Sequence, residues 1–396
     1  MQLFIDKVEF VSFRKLVLIL CVLCGLCVEI SAQEFKTLKP GIEYAEVTKD
    51  IGGLKVNMNL LRLDLTKVRL DVHHAMDASI GTEKTSSIAT RHGAFAAINA
   101  GFFRLDTSIF AGDAAGILKI DGKVFSESTS NRSAIFISNR RDRSSVDFSR
   151  ITTHSILKIG GKSYSVLGVN RERKSNETVV FTPDFHRTTL TSCDGLEIVV
   201  RRNIVTSVTE NCGSLIPADG FVISTAGKQR ELFLKGPVKP GSRVVLTERI
   251  DSLANDPSPI ELRYIKKLRE LYRGSEDVTN GVPQLIKDSK IDITWEQEKA
   301  TKAFVETRHP RTAVAKLKDG KFLMITVDGR SESSGGIGLQ DLAEYLLELG
   351  ATDAMNLDGG GSTTMFVDGK VVNHPSDKEG ERKVSDAILV TPRTKK

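Results

Sequence analysis

Along most of this chain apolar and polar positions alternate with a period of two, and short clusters of turn residues interrupt the alternation. Six stretches carry the pattern best: VNMNLLRLDL, GAFAAINAGFF, SAIFISN, LEIVVRR, GFVIST and RVVLTERI. Alternation of this kind predicts strands with one buried face. Three Asp-Gly pairs, at Asp121, Asp319 and Asp368, each sit between two such apolar runs and predict tight hairpins, because Asp-Gly supplies the positive φ of a type I′ turn. Helical periodicity is rarer. IELRYIKKLRELYRG places Leu262, Ile265, Leu268 and Leu271 near helical spacing. GLQDLAEYLLELG does so more cleanly through Leu339, Leu342, Ala343, Leu346 and Leu347, with Gly350 as a natural stop. Residues 255–259, Asn-Asp-Pro-Ser-Pro, read as loop. The expectation is an α+β fold of β-rich mixed sheets with few helices.

The second helix has informative flanks. FLMITVD (322–328) and DAMNLD (353–358) both read as strands, giving a C-terminal strand-helix-strand unit. A crossover of that kind predicts that the two strands pair in parallel. Asp328 and Asp358 then leave their strands at one edge of the sheet, where open sheets of this type place ligands. Each is followed by glycine, so the chain turns sharply at both. Taken alone, either aspartate would read as a turn cap; two such turns joined by one crossover point to a shared site.

The stretch after the second strand, NLDGGGSTTM, does not fit a hairpin. A two-residue turn needs one glycine, and further glycines only add conformational entropy to be lost on folding. Bare amides at Gly359, Gly360 and Gly361, with the hydroxyls of Ser362 and Thr363, suit an anion cradle. Arg330 and Arg311 add planar forks matched to phosphate, although either alone would read as half of a surface ion pair. His309, beside Arg311, is a further candidate against a plain reading as a solvated loop histidine. No Gly-Lys-Ser/Thr follows the glycines, so they are not a nucleotide-binding loop of that type, and their spacing is not that of a dinucleotide fingerprint.

Bulk properties narrow the field. The chain has 396 residues, 40% hydrophobic and 27% charged, with a net charge of +6. No basic run is interleaved with aromatics, which argues against a nucleic-acid partner. The seven histidines form no spaced ligand pair with cysteine or glutamate, so neither a metal nor another cofactor is expected. Arg14 and Lys15 precede the apolar run Leu16–Val28, and Ile30-Ser31-Ala32 offers a small-residue cleavage site. Residues 1–32 therefore read as a signal peptide and 33–396 as the mature domain, exported to the periplasm, cell surface or medium, with no stable membrane insertion after cleavage. An uncleaved anchor is the alternative. Cleavage removes three of the five cysteines; Cys193 and Cys212, flanking a predicted hairpin, are placed to form a disulfide or to remain as two free thiols.

These segments resemble the phosphodiester glycosidase family. AAINAGFF (96–103), DGFVIS (219–224), RHPRTAV (308–314), TVDGRSESSGG (326–336), LQDLAEYLLELGATDAMNLDGGGSTTM (339–365) and VVNHPSDKEGERKVSDAILV (371–390) carry the likeness, which runs through roughly residues 40–392. Ala100 stands where many relatives are expected to have glycine. The resemblance implies a hydrolase that cleaves the anomeric bond of a sugar-1-phosphodiester, with Asp358, Asp328, Arg311 and Arg330 catalytic. Asn99, Gly101, Phe102, Asn356 and His309 would bind substrate with the glycine loop. Two other classes fit parts of the pattern. A phosphodiesterase attacking phosphorus would want a metal pair, for which ligand clusters are missing from the sequence. A non-catalytic binder of anionic cell-surface glycans would keep the arginines and glycines but tolerate loss of Asp358.

Overall fold

Strand follows strand through the described residues, 34–250 and 258–393 of a computed structural model. The expected signal peptide and residues 255–257 of the expected loop lie outside them. The elements all belong to the compact unit Lys36–Lys396. The six alternating stretches form the strands Leu54–Leu63, Ala96–Asn99, Arg132–Asn139, Gly195–Arg201, Gly220–Ala226 and Val244–Ile250.

Both expected helices form. Pro259–Gly274 opens on a capping box: Glu261 N donates to Ser258 Oγ at 3.3 Å while Ser258 N donates to Glu261 Oε2 at 2.7 Å. It buries Ile265, Leu268 and Tyr272. Leu339–Glu348 buries Leu339, Leu342, Ala343, Tyr345 and Leu346. Three more helices, Thr85–Arg91, Gly227–Leu234 and Lys302–Glu306, span too few turns to imprint a helical period on the sequence.

The largest sheet has eight strands, in the order Lys36–Lys39, Ile42–Ile51, Leu54–Leu63, Phe322–Val327, Arg311–Leu317, Ala351–Asn356, Gln284–Lys287 and Lys290–Ile291. Every neighbouring pair in it is antiparallel. This corrects the expected parallel pairing of the strands that flank Leu339–Glu348. Arg311–Leu317 lies between them and is antiparallel to both, with Arg311 opposite Val327 and Ala313 opposite Asn356. The cause is local. Arg311–Leu317 and Phe322–Val327 are joined by a short turn, so their hairpin closes at once and fills the position a parallel neighbour would take. Two antiparallel steps still leave the outer strands pointing the same way. Both aspartates therefore leave the sheet at one edge, where Arg311 enters it.

Two of the three Asp-Gly turns are as expected. Asp121 and Gly122 have φ of 49° and 78°, and Asp368 and Gly369 have 49° and 84°, so both central residues are left-handed. At Asp319-Gly320 only the glycine is left-handed, with φ 81°, and Leu317 N reaches Lys321 O at 2.9 Å across a wider turn. The hairpin Gly195–Arg201/Ile204–Thr209 turns on Arg202 and Asn203, and Cys193 and Cys212 beyond its open end are joined by a disulfide.

The main core lies between the eight-stranded sheet and a five-stranded sheet that contains Ala96–Asn99, Met365–Val367 and Asp386–Pro392. Leu61, Val314, Met324 and Met355 pack there against Ile98, Met365 and Ile388, all fully buried. A second core forms within residues 153–250, around Leu157, Ile198, Ile223 and Phe233.

Candidate active site

NLDGGGSTTM is the crossing between the two layers of the main core. Asn356 ends a strand of the eight-stranded sheet, and Met365 starts a strand of the five-stranded one. Within the crossing, Gly360–Ser362 makes one turn of 3₁₀ helix. Backbone bonds pin it on both sides. Leu357 N donates to Thr312 O at 2.9 Å, Gly360 N to Pro310 O at 2.9 Å, and Asp358 N to Ala100 O at 3.0 Å. The loop is thereby docked on the HPRT and INAG segments.

The glycines are there because neighbours press on them. A Cβ at Gly360 would lie 3.1 Å from Arg330 Nη2, and its φ of 61° is left-handed. A Cβ at Gly361 would lie 2.2 Å from both Arg382 Nη2 and Asp377 Oδ1. Those two side chains form a bidentate pair, with Nε–Oδ2 at 2.7 Å and Nη2–Oδ1 at 2.9 Å. Gly359 leaves room for the Pro310 carbonyl and the Arg311 stem. Bare backbone here accommodates two arginines and a carbonyl as well as offering amides.

Asp358 is partly buried at the centre of these contacts. Its Oδ1 accepts Gly359 N at 2.9 Å. Burial pushes its carboxyl up to about 6; the Ser362 hydroxyl, the Gly359 amide and Arg382 pull the other way, and Asp386 adds to the rise. Asp328 is buried as well. Its Oδ1 accepts His374 N at 3.0 Å and Asn373 Nδ2 at 3.4 Å, and its Oδ2 lies 3.3 Å from His374 Nδ1. Burial raises its carboxyl as well, against these bonds. Asn373 links the two aspartates' surroundings, because its Nδ2 also donates to Thr363 O at 3.0 Å.

Arg311 is 1% exposed. Its Nε donates to Ile337 O at 3.3 Å, and its Nη2 donates to Phe304 O at 2.6 Å and Thr307 O at 2.9 Å, with the guanidinium 4.9 Å over the Phe304 ring. The fork expected to grip phosphate is thus largely held by backbone carbonyls, and only Nη1 takes no part in these bonds. Burial, then the Arg330 charge, lowers its pKa to about 10. Arg330 is exposed, at a left-handed φ of 61°, and its Nη2 lies 3.3 Å from His309 Nδ1. Neither arginine pairs with a carboxylate among the described residues. Burial and these two charges hold the His309 ring below the usual histidine range.

The other expected site residues hold the scaffold. Asn99 Nδ2 donates to Asp358 O at 2.7 Å, and its Oδ1 accepts Thr312 Oγ1 at 2.8 Å and Thr364 N at 3.0 Å. Its amide thereby ties the Asp358 loop to Thr312 and Thr364, and one Nδ2 hydrogen takes no part in these bonds. Asn356 Nδ2 donates to Val282 O at 2.6 Å and Leu357 O at 2.7 Å. Gly101 N donates to Asp386 Oδ1 at 3.0 Å and Phe102 N to Asn280 Oδ1 at 3.0 Å. The Phe102 ring meets Phe304 edge-on, beside Arg311. By contrast, Asn356 Oδ1, Ser362 Oγ, Thr363 Oγ1 and Thr364 Oγ1 are buried without a well-formed protein hydrogen bond.

Four residues at the site escaped the sequence reading: Asn373, His374, Asp377 and Arg382. All lie in the tail segment VVNHPSDKEGER. The available signal was its His374-Pro375 pair, which repeats the His309-Pro310 pair across the site.

Among the described residues His73, Asp77 and His92 form a group with ligand atoms within 4.8 Å of one another. The two rings are stacked, with centroids 3.6 Å apart and planes 22° apart. Arg91 already supplies a cation there, bonded to Asp77 and 3.0 Å from His92 Nε2.

The family profile described as phosphodiester glycosidase matches residues 194–391. The chain belongs to the phosphodiester glycosidase family. It is 40% identical over 107 residues to the SPβ prophage-derived uncharacterized protein YomE of Bacillus subtilis, covering 27% of this chain and 16% of that protein. It is 42% identical over 74 residues to bovine N-acetylglucosamine-1-phosphodiester alpha-N-acetylglucosaminidase, covering 19% of this chain and 14% of that enzyme. The likeness thus spans less than a fifth of either relative's length. The crystal structure of a hypothetical protein from Synechocystis shares the fold, with a TM-score of 0.74 at 23% identity over 91% of this chain and 64% of that one.

Proposed function

We propose that the protein hydrolyses the anomeric bond of a sugar-1-phosphodiester, releasing free sugar and a phosphomonoester. The observation that carries this reading is the meeting, on one glycine loop, of a partly buried carboxylate with two arginines that lack carboxylate partners. An ordinary glycosidase needs a carboxylic acid to protonate a poor alcohol leaving group. Here the leaving phosphomonoester has a second pKa of about 6 and departs as a dianion near neutral pH. The site then needs donors for the charge growing on phosphate and one carboxylate for water or for the sugar cation.

Arg330, the free Nη1 of Arg311 and the loop amides take the first role. Asp358 takes the second, and its carboxyl at about 6 is ionised at neutral pH while remaining a usable base. Asp328 orders the His374 segment opposite. The orphaned hydroxyls of Thr363 and Thr364 suit an attacking water or the phosphate oxygens. The same reading takes residues 1–32 as an export signal and 33–396 as the hydrolase domain; the Cys193–Cys212 disulfide suits an oxidising compartment.

The test is incubation with a panel of glycosyl phosphodiesters, followed by detection of free sugar, with and without EDTA. The bovine relative's name makes an α-linked N-acetylglucosamine 1-phosphodiester the first member of that panel. Release that survives chelation supports the reading. Release of sugar phosphate instead would mean attack at phosphorus, and no release would leave a binder.

A further inference from the structure

Beside the Ala100–Phe103 segment lies a cavity of about 420 Å³ with a mostly polar wall. That volume falls within the range of small-molecule sites, roughly 300–1,000 Å³. The Asn280 side chain bridges its wall to that segment. Asn280 Oδ1 accepts Phe102 N at 3.0 Å and its Nδ2 donates to Phe102 O at 3.4 Å, while a Cβ on Gly116, in the cavity wall, would lie 2.9 Å from Asn280 Cβ. Ala115, also in the wall, donates its N–H to Phe102 O at 2.7 Å.

The charged groups of this wall are Asp113, Glu127 and Glu177 against Arg132, Arg171 and Lys174, so their formal charges cancel. Arg171 is satisfied, with Nε 2.8 Å from Glu127 Oε1 and Nη1 2.8 Å from Glu177 Oε2. Asp113 and Arg132 are not. The Asp113 carboxylate accepts no hydrogen bond among the described residues, and its Oδ1 is buried. Arg132 pairs with no carboxylate among them, reaching only Ala115 O at 3.3 Å, and its Nε is buried without a partner. Unmatched groups of this kind are costly to bury and point to a ligand that hydrogen-bonds them. Burial and Glu127 lift the Asp113 carboxyl to about 7, so it can both donate and accept near neutral pH.

We propose that this charge-balanced cavity receives the neutral sugar ring of the substrate, with Asp113 and Arg132 as the residues that select its hydroxyls. The proposal rests on the hydrolase reading and divides the substrate: phosphate at Arg311 and Arg330, which carry unbalanced positive charge, and sugar where the charges cancel.

Free hexoses and N-acetylhexosamines, which carry no phosphate, are the probes, titrated into the full protein by ligand-observed NMR. At least one should bind saturably. Asp113→Ala should weaken it roughly ten- to hundred-fold, the loss expected for a hydrogen bond to a charged group. In hydrolysis, Asp113→Asn should raise KM much more than it lowers kcat, whereas a merely structural role would lower Tm and leave KM unchanged. If Asp113 variants fail to fold, Arg132→Gln gives the same readout. The assignment is overturned if no sugar saturates, or if folded variants bind as the wild type does. If sugar binding depends on Asp113 but the wild type hydrolyses no phosphodiester, the hydrolase reading fails and the sugar site stands.

Discussion

Arg330 lies across Gly360, its Nη2 and Nη1 only 3.1 and 3.4 Å from where a Cβ would stand. Gly360→Val should strain the left-handed backbone by about 1–2 kcal/mol and drive the guanidinium off the loop. Titration with inorganic phosphate should show binding lost in a protein that still melts cooperatively. Normal phosphate affinity in Gly360→Val would mean that the loop is no phosphate cradle.

Asp358 should leave a pH signature. Its carboxyl is raised from 3.8 to about 6, so the charged form is disfavoured in the folded state. Stability from this group is fully present below about pH 4 and is lost as pH rises through about 6. A shift of about two units corresponds to about 3 kcal/mol. Denaturant melts of wild type and Asp358→Asn should therefore differ by a term that swings in favour of the variant by about that amount between pH 4 and 8. In the wild type kcat/KM should rise through about pH 6. A flat difference between the two melts would place the Asp358 carboxyl in the ordinary range.

The two arginines should fail differently as lysines. Arg311→Lys loses most of three bonds to carbonyls inside the protein and should cost about 3 kcal/mol of stability as well as activity. Arg330 is exposed, so Arg330→Lys should leave Tm nearly unchanged and reduce kcat/KM alone. Equal stability in the two variants would contradict the structural role given to Arg311.

Reducing the Cys193–Cys212 bond should destabilise the protein by roughly 3 kcal/mol, the chain-entropy cost of a loop of this size. Thiol labelling of denatured, unreduced protein should find neither cysteine free, and two labelled thiols would contradict it.

Alternation was enough to find six of the strands, and helical spacing enough to find the two long helices, because burial of one face is written directly into residue type. Pairing order was not legible. TAVAKL and FLMITV are apolar on both faces, so nothing in either says which neighbour it takes; their hairpin displaced the expected parallel pair. The site was legible where chemistry needs unusual residues, as in three glycines after an aspartate. It was obscured where a common residue does an uncommon job. Asn99 looks like a ligand residue, and its amide also holds Asp358 O, Thr312 and Thr364 together. Arg382 looks like one more charge in a polar tail, yet it packs flush on Gly361.

The most direct test of the account is the turnover of Asp358→Asn on a glycosyl phosphodiester that the wild type cleaves. The substitution removes one charge and keeps the shape, so the protein should fold, bind phosphate and bind sugar. Sugar release should fall by roughly 10²–10⁴-fold, the range for a lost general base. Near wild-type release by a folded Asp358→Asn would make Asp358 a turn residue and move the search for the base to Asp328.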